Sequence, residues 1–136
     1  MNSMTALPTE QVALVGVIDP DAYTAAAYTT GYIPLKNFQK FMAVVYAGDL
    51  GSSATIDAKL TVYTDASGTA PFDVTGAAIT QLTQAGTDSN KQAIINFDKS
   101  FVAGAVAYTH MRLTVTVGTA TSDMGASVYG FSPVYG

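Results

Sequence analysis

The sequence predicts an all-β fold, an antiparallel β-sandwich of jelly-roll or immunoglobulin-like kind with little or no helix. Three observations predict it. Several windows alternate polar and apolar residues with period two and are rich in Thr, Val, Ile and Tyr, the pattern of half-buried strands. Gly- and Asp-containing turn signals separate these windows at short spacing, as in antiparallel meanders rather than βαβ units. The length, 136 residues, supports one hydrophobic core and not two.

Taken in order, residues 1–10 read as an N-terminal arm, without a strand pattern and with Pro8, and residues 11–136 as a single sandwich domain. Residues 11–18 form a first strand with blurred alternation, closed by a turn at Asp19-Pro20-Asp21. The window 23–28 carries Ala25, Ala26 and Ala27 and predicts a turn or two of helix, ended by Thr29, Thr30 and Gly31. Pro34 belongs at an edge or strand end, because it cannot donate a ladder hydrogen bond. A blurred strand at 41–46 leads into the Gly- and Ser-rich turn 47–53.

The clearest strand is 55–64, where Ile56, Ala58, Leu60 and Val62 point one way and Asp57, Lys59, Thr61 and Tyr63 the other. After a turn at 65–68 come weaker strands at 79–83 and 91–98, separated by the turn 86–90. The second clear strand is 109–117, with Met111, Leu113, Val115 and Val117 inward and His110, Arg112, Thr114 and Thr116 outward. A slip of one residue in either clear strand would bury Lys59 or Arg112, so register is well specified. The turn 118–125 and a strand at 127–135, with Pro133 near its end, complete the chain.

Composition excludes several functions. Six Lys plus Arg against ten Asp plus Glu leave a net charge of −4 and no basic stripe for a phosphate backbone, so no nucleic-acid partner is expected. Zero Cys removes disulfides, thiolate metal sites and cysteine nucleophiles. The start of the chain lacks the basic residues of a secretory signal. Its apolar runs fall short of the roughly 20 residues of a membrane-spanning helix, and few strand windows reach the length a membrane barrel needs. No membrane partner is expected.

No catalytic residue is expected. The single histidine, His110, sits on the polar side of a strand and reads as an exposed strand residue, and no Gly-x-Ser-x-Gly elbow supplies a nucleophile. The only glutamate is Glu10, in the arm, and the aspartates are spread along the chain without forming the pair that glycoside hydrolysis requires. Asp19-Pro20-Asp21 and Asp65-Ala66-Ser67-Gly68 put hard oxygens in turns, yet neither fits a twelve-residue calcium loop and both suit ordinary turn capping. Gly48-Asp49-Leu50-Gly51 lacks the Lys that follows a phosphate-binding loop. No metal or cofactor is expected.

The polar faces are built from Thr, Ser, Asn and Gln more than from Lys and Glu. Surfaces poor in those charges suit contact, because interfaces lose them at their centres. The candidate interface residues are Tyr28, Tyr32, Thr61, Tyr63, Thr114, Thr116, Tyr129 and Phe131. Tyr is equally suited to stacking on a sugar, with Tyr23, Tyr28 and Tyr32 close together and Tyr129 and Tyr135 flanking Phe131, but Trp, the strongest such platform, is absent.

Residues 48–97 present a Gly turn, then Thr-Ile-Asp-Ala-Lys-Leu, Thr-Asp-Ala-Ser-Gly-Thr, Gly-Ala-Ala-Ile-Thr-Gln-Leu-Thr and Ser-Asn-Lys-Gln, and the chain closes on Val128-Tyr129-Gly130-Phe131 and Tyr135-Gly136. This order resembles the small proteins encoded among the head genes of tailed bacteriophages. The resemblance implies a virion structural protein, foremost a decoration or cement subunit on the capsid exterior. Such a subunit is made in the host cytoplasm, partners the major capsid protein and forms a homo-oligomer, a trimer among the options. It implies no catalytic residue. A head-tail or tail component, and a carbohydrate-binding module or adhesin, remain as alternatives.

Overall fold

Alternating strands with one apolar side must cover that side with a second sheet, and the computed structural model, which describes residues 7–133 and the side chains of residues 7–131, shows two antiparallel sheets doing so. A single helical turn, α1 (Pro8–Gln11), precedes β1 (Val12–Tyr23), β2 (Ala26–Thr29), β3 (Ile33–Pro34), β4 (Phe38–Ala47) and β5 (Thr55–Tyr63). Then follow β6 (Phe72–Ala78), β7 (Leu82–Thr83), β8 (Gln92–Asp98), a 3-10 turn over Lys99–Val102, β9 (His110–Gly118) and β10 (Ser122–Pro133).

One sheet has the order β1-β10-β4-β8 and the other β2-β9-β5-β6, with β3 continuing the β2 edge along β9 and β7 pairing with β5. The principal pairings are nested, β1 with β10, β2 with β9, β4 with β8 and β5 with β6. That is a long hairpin rolled up on itself, the jelly roll, and it decides between the two sandwich topologies that the strand pattern left open.

The two clear strands carry the core as expected. Ile56, Leu60 and Val62 on β5 and Met111, Leu113, Val115 and Val117 on β9 are buried. They face Phe41, Ala43 and Val45 of β4, Ile95 and Phe97 of β8 and Met124, Ala126 and Val128 of β10. Phe41 and Phe97 meet at 6.1 Å between centroids and continue to Phe38 at 6.0 Å from Phe41, closing one end of the core.

Tertiary pairing overrides local propensity in several places. The helix expected at 23–28 does not form: Tyr23 ends β1, and Ala26–Thr29 pairs with residues 114–117 of β9, whose ladder outweighs the alanine preference. The turn expected at Asp19-Pro20-Asp21 lies inside β1, where the register against β10 shifts between Ile18 and Asp21. A bulge on an edge strand absorbs the N–H that Pro20 lacks.

The strand expected at 79–83 shrinks to Leu82–Thr83, while β6 was not expected, because its alternation breaks at Gly76, which has φ +80° in an irregularity opposite Lys59 and Thr61. The turn expected at 118–125 contracts to 119–121, with Thr119 at φ +72°, so β10 starts five residues early. Pro34 and Pro133 end their strands, as expected. The arm ends in α1, where the Glu10 carboxylate accepts the Leu7 N–H at 2.5 Å; residues 1–6 and Tyr135 lie outside the described residues.

Leu60→Ala should cost about 2–5 kcal/mol in chemical denaturation, since Leu60 is wholly buried and its removal leaves a cavity between the sheets. Gly51→Ala should cost about 1–3 kcal/mol, because the added Cβ would lie 2.4 Å from the Thr121 carbonyl oxygen, a backbone atom that cannot step aside.

Candidate interaction surface

The sandwich has two outer faces, and the strand registers assign side chains to each. On the outer face of β2-β9-β5-β6 lie Asp57, Lys59, Thr61 and Tyr63 of β5 beside Thr116, Thr114, Arg112 and His110 of β9. Part of this face is bonded within the chain, although the buried Arg112 Nε finds no hydrogen-bond partner. Asp73 accepts Lys59 Nζ at 2.9 Å and Thr61 Oγ1 at 2.8 Å, and these two bonds hold its carboxyl below the usual carboxylate range. Thr61 is therefore only 4% exposed and offers no free surface, contrary to its expected interface role.

Three of the expected interface tyrosines are also engaged within the chain. The Arg112 guanidinium lies 4.6 Å from the Tyr32 ring centroid and donates to Thr29 Oγ1 at 3.0 Å. Tyr32 meets Tyr63 edge-on at 5.2 Å, and Tyr28 packs at 4.4 Å on Tyr23 while donating to the Thr24 carbonyl. Thr114 and Thr116 line a shallow depression of about 330 Å³ with Lys59 and Ile79. His110 Nδ1 bonds Thr109 Oγ1 at 2.8 Å beside a cavity of about 320 Å³ shared with Lys36, Lys99 and Tyr108.

The outer face of β1-β10-β4-β8 has a different chemistry. Across it, Leu14 pairs with Tyr129, Tyr129 with Met42, Ser127 with Val44 and Val44 with Ile94, while Val17 neighbours Ser127 and Tyr46 neighbours Gly125. Nearly all of these are apolar or aromatic on the side that faces away from the core. Leu14 is 59% exposed, Ile94 57%, Tyr46 44% and Val17 43%. Tyr129 and Phe131, two of the candidate interface residues, stand on this face, both half-buried.

The two ends of this face differ in charge. At one end Lys40 and Asp98 form an ion pair at 2.8 Å, and Gln39 donates to Asp98 at 2.9 Å. The bond from Lys40, joined by the Ser100 N–H and Gln39, holds the Asp98 carboxyl far below its usual range. Beside the pair an open groove of about 560 Å³ runs over Met42, Asn96, Phe131 and Phe101, the last 56% exposed and edge-on to Phe97. At the other end Asp21 and Asp123 flank Tyr46 in a second depression.

Sequence reasoning missed Leu14, Val17, Met42, Val44, Tyr46 and Ile94. The signal was the blurred alternation of their windows, since a strand apolar on both sides expects cover on both.

The Asp65 turn is capped by its own carboxylate. Its carboxylate accepts the backbone N–H of Ser67 at 2.8 Å and of Thr69 at 3.1 Å, and Asp19 and Asp21 lie along a strand. Among the described residues no three His, Asp or Glu side chains converge as metal ligands, and no helix is long and apolar enough to cross a membrane.

No family model and no curated protein matches the sequence. Among solved structures, the VP2 subviral particle of infectious bursal disease virus aligns with a TM-score of 0.52 and 10% identity, over 89% of this chain and 32% of that one. The Gx strain of infectious bursal disease virus aligns at 0.50 and 12% identity, over 92% and 34%. A carbohydrate-binding module specific for non-crystalline cellulose aligns at 0.54 and 6% identity, over 85% and 73%. The chain spans about a third of the length of the viral chains. At these identities the likeness establishes the sandwich fold.

The depressed carboxyls predict an acid limb. Their stabilisation is complete above the unfolded carboxylate pKa of about 3.9 and is lost as pH falls through the lower folded values. Urea midpoints should fall as pH drops from 5 towards 2, and Asp73→Asn should be less stable than the native chain at pH 7 with a shallower fall in acid.

Proposed function

We propose that this chain is a virion structural protein, a decoration or cement subunit that stabilises a capsid by adhering to its shell and bridging neighbouring capsid subunits. Its work is contact, with no bond made or broken. The observation that carries the reading is the uncovered apolar outer face of the β1-β10-β4-β8 sheet. Contiguous exposed apolar surface on a small domain marks an interaction site, and here it sits opposite a face built from Thr and charged side chains. The jelly-roll fold is one that capsid proteins use, and the resemblance over residues 48–97 points the same way.

A shell of many copies gains stability from repetition, since modest contacts add up over every subunit. In purified particles, quantitative mass spectrometry and imaging should find the chain in many copies on the capsid exterior. A copy number matching a single tail ring, or absence from particles, would refute this role. The predicted loss on adding charge is concrete: Ile94→Asp should weaken retention on shells by about tenfold or more, by breaking the contact that holds neighbouring subunits together there, while leaving the melting temperature within a few degrees, because its side chain is 57% exposed in the isolated fold.

One observation favours a second reading. The groove beside Phe101 and Phe131 joins exposed aromatic surface to the polar groups of Lys40, Asn96 and Asp98, a combination that also suits a sugar ring. Glycan-array binding that disappears in Phe101→Ala would establish a carbohydrate-binding module instead.

A further inference from the structure

We infer that the apolar face of β1-β10-β4-β8 packs against the same face of a second copy of this chain, about a two-fold axis that swaps the ends of the face. The inference rests on the reading of this chain as a contact-making structural subunit, and names the occupant of that face.

Area is sufficient. The face spans four strands about 4.8 Å apart and the seven paired residues from Lys40 to Tyr46 at about 3.4 Å each, roughly 19 Å by 24 Å. With side-chain relief that is on the order of 500 Å² per copy and about 1,000 Å² for the pair, the lower bound for a specific interface.

Shape selects the orientation. Sheets pack face to face with their strands within about 30° of each other. An axis crossing the strands at the level of Ala43 therefore lays β10 over β10 and β4 over β4, running oppositely. On β10 the large side chains Tyr129 and Phe131 occupy one half and the small Ser127 and Gly125 the other, so exchange of ends sets large against small in both directions. On β4 the same exchange sets Tyr46 over the groove and the Lys40 ammonium of the second copy, and Met42 against Val44.

Charge selects the same arrangement. Asp21 and Asp123 flank the Tyr46 end, and Lys40 stands at the other, 59% exposed beyond its bond to Asp98. Exchanging the ends sets each acidic end over the Lys40–Asp98 pair of the second copy, whereas an axis along the strands would set the two acidic ends together. Joining through the β1 edge is disfavoured, since its ladder is broken twice and includes Pro20. The pairing leaves Thr114 and Thr116, on the opposite sheet, facing outward to meet a shell.

The chain has no Cys, which permits a direct test. Sedimentation of the native chain at micromolar to 100 μM concentration should show a dimer, and Leu14→Asp with Ile94→Asp should show a monomer with an unchanged circular-dichroism spectrum. A mixture of Lys40→Cys and Tyr46→Cys chains should cross-link through a bismaleimide spanning about 10 Å, the spacing of packed sheets. Neither variant alone should do so, its two cysteines lying roughly 20 Å apart along the strand at about 3.4 Å per residue. A native chain that stays monomeric, a double variant that still dimerises, or efficient cross-linking of Lys40→Cys to itself overturns the inference. A chain monomeric in solution yet found on shells defeats the pairing and keeps the proposed function; a dimer absent from particles does the reverse.

Discussion

Every strand of this protein must turn its apolar side towards the other sheet, and that one constraint of parity organises the rest. Because the pairing is nested, first strand with last, most strands find a ladder partner far along the chain, β1 in β10 and β4 in β8, before their inner sides can be covered by the opposite sheet. The core between Phe41, Phe97, Leu60, Leu113 and Val128 is therefore a joint product of both sheets. Once the inner parity is fixed, the outer parity follows without further freedom. The outer faces are then read directly from the alternate residues of each strand.

Those two faces have settled their polar and apolar groups differently. On the β2-β9-β5-β6 side, Asp73 gathers Lys59 and Thr61, and Arg112 lies against Tyr32 with its Nε buried and unpartnered. On the β1-β10-β4-β8 side, Leu14, Val17, Tyr46 and Ile94 are held in water by a sheet that has no use for them in its own core. Burying a Leu or Ile side chain fully is worth about 1.5–3 kcal/mol. Association costs about 4–15 kcal/mol in lost translational and rotational freedom, so an isolated contact of this size is modest. A contact of this size becomes durable only where it is repeated, because each further contact is then made by a molecule already held.

The sequence displayed the fold class and the two central strands because β5 and β9 have one wet side and one dry side. There Lys59 and Arg112 fix which residues turn outward. It displayed β1, β4 and β8 poorly for a physical reason: Val44 and Val45, or Ile94 and Ile95, are apolar on both parities, so no alternation exists to detect. The helix expected from Ala25 to Ala27 failed because alanine preference is local, while the open edge of β9 lies 90 residues away in sequence. β6 escaped because Gly76 and the irregularity around it break the period of two. Of the candidate interface, Tyr129 and Phe131 fell on the exposed apolar face. Thr61 did not qualify, since its outward direction on β5 ends at Asp73, a partner no period of two can reveal.

The charge distribution assigns a separate task to the few ionised groups this chain carries. Asp19, Asp21, Asp49 and Asp123 collect near the end where β4 finishes and β10 begins, joined there by the bond from the Asp123 N–H to the Asp49 carbonyl. Lys36, Lys40 and Lys99 lie towards the opposite end with the Asp98 carboxylate among them, which pairs with Lys40, while Lys99 donates to the Leu35 carbonyl. Such groups at the rim of a contact add little affinity and are screened over about 8 Å at physiological salt. They do govern approach, since like ends repel and unlike ends attract before any apolar contact forms. The apolar centre thus supplies adhesion that is indifferent to direction, and the charged ends supply direction with little adhesion. An oriented contact needs both, and the strand parity of this sandwich puts them on one face.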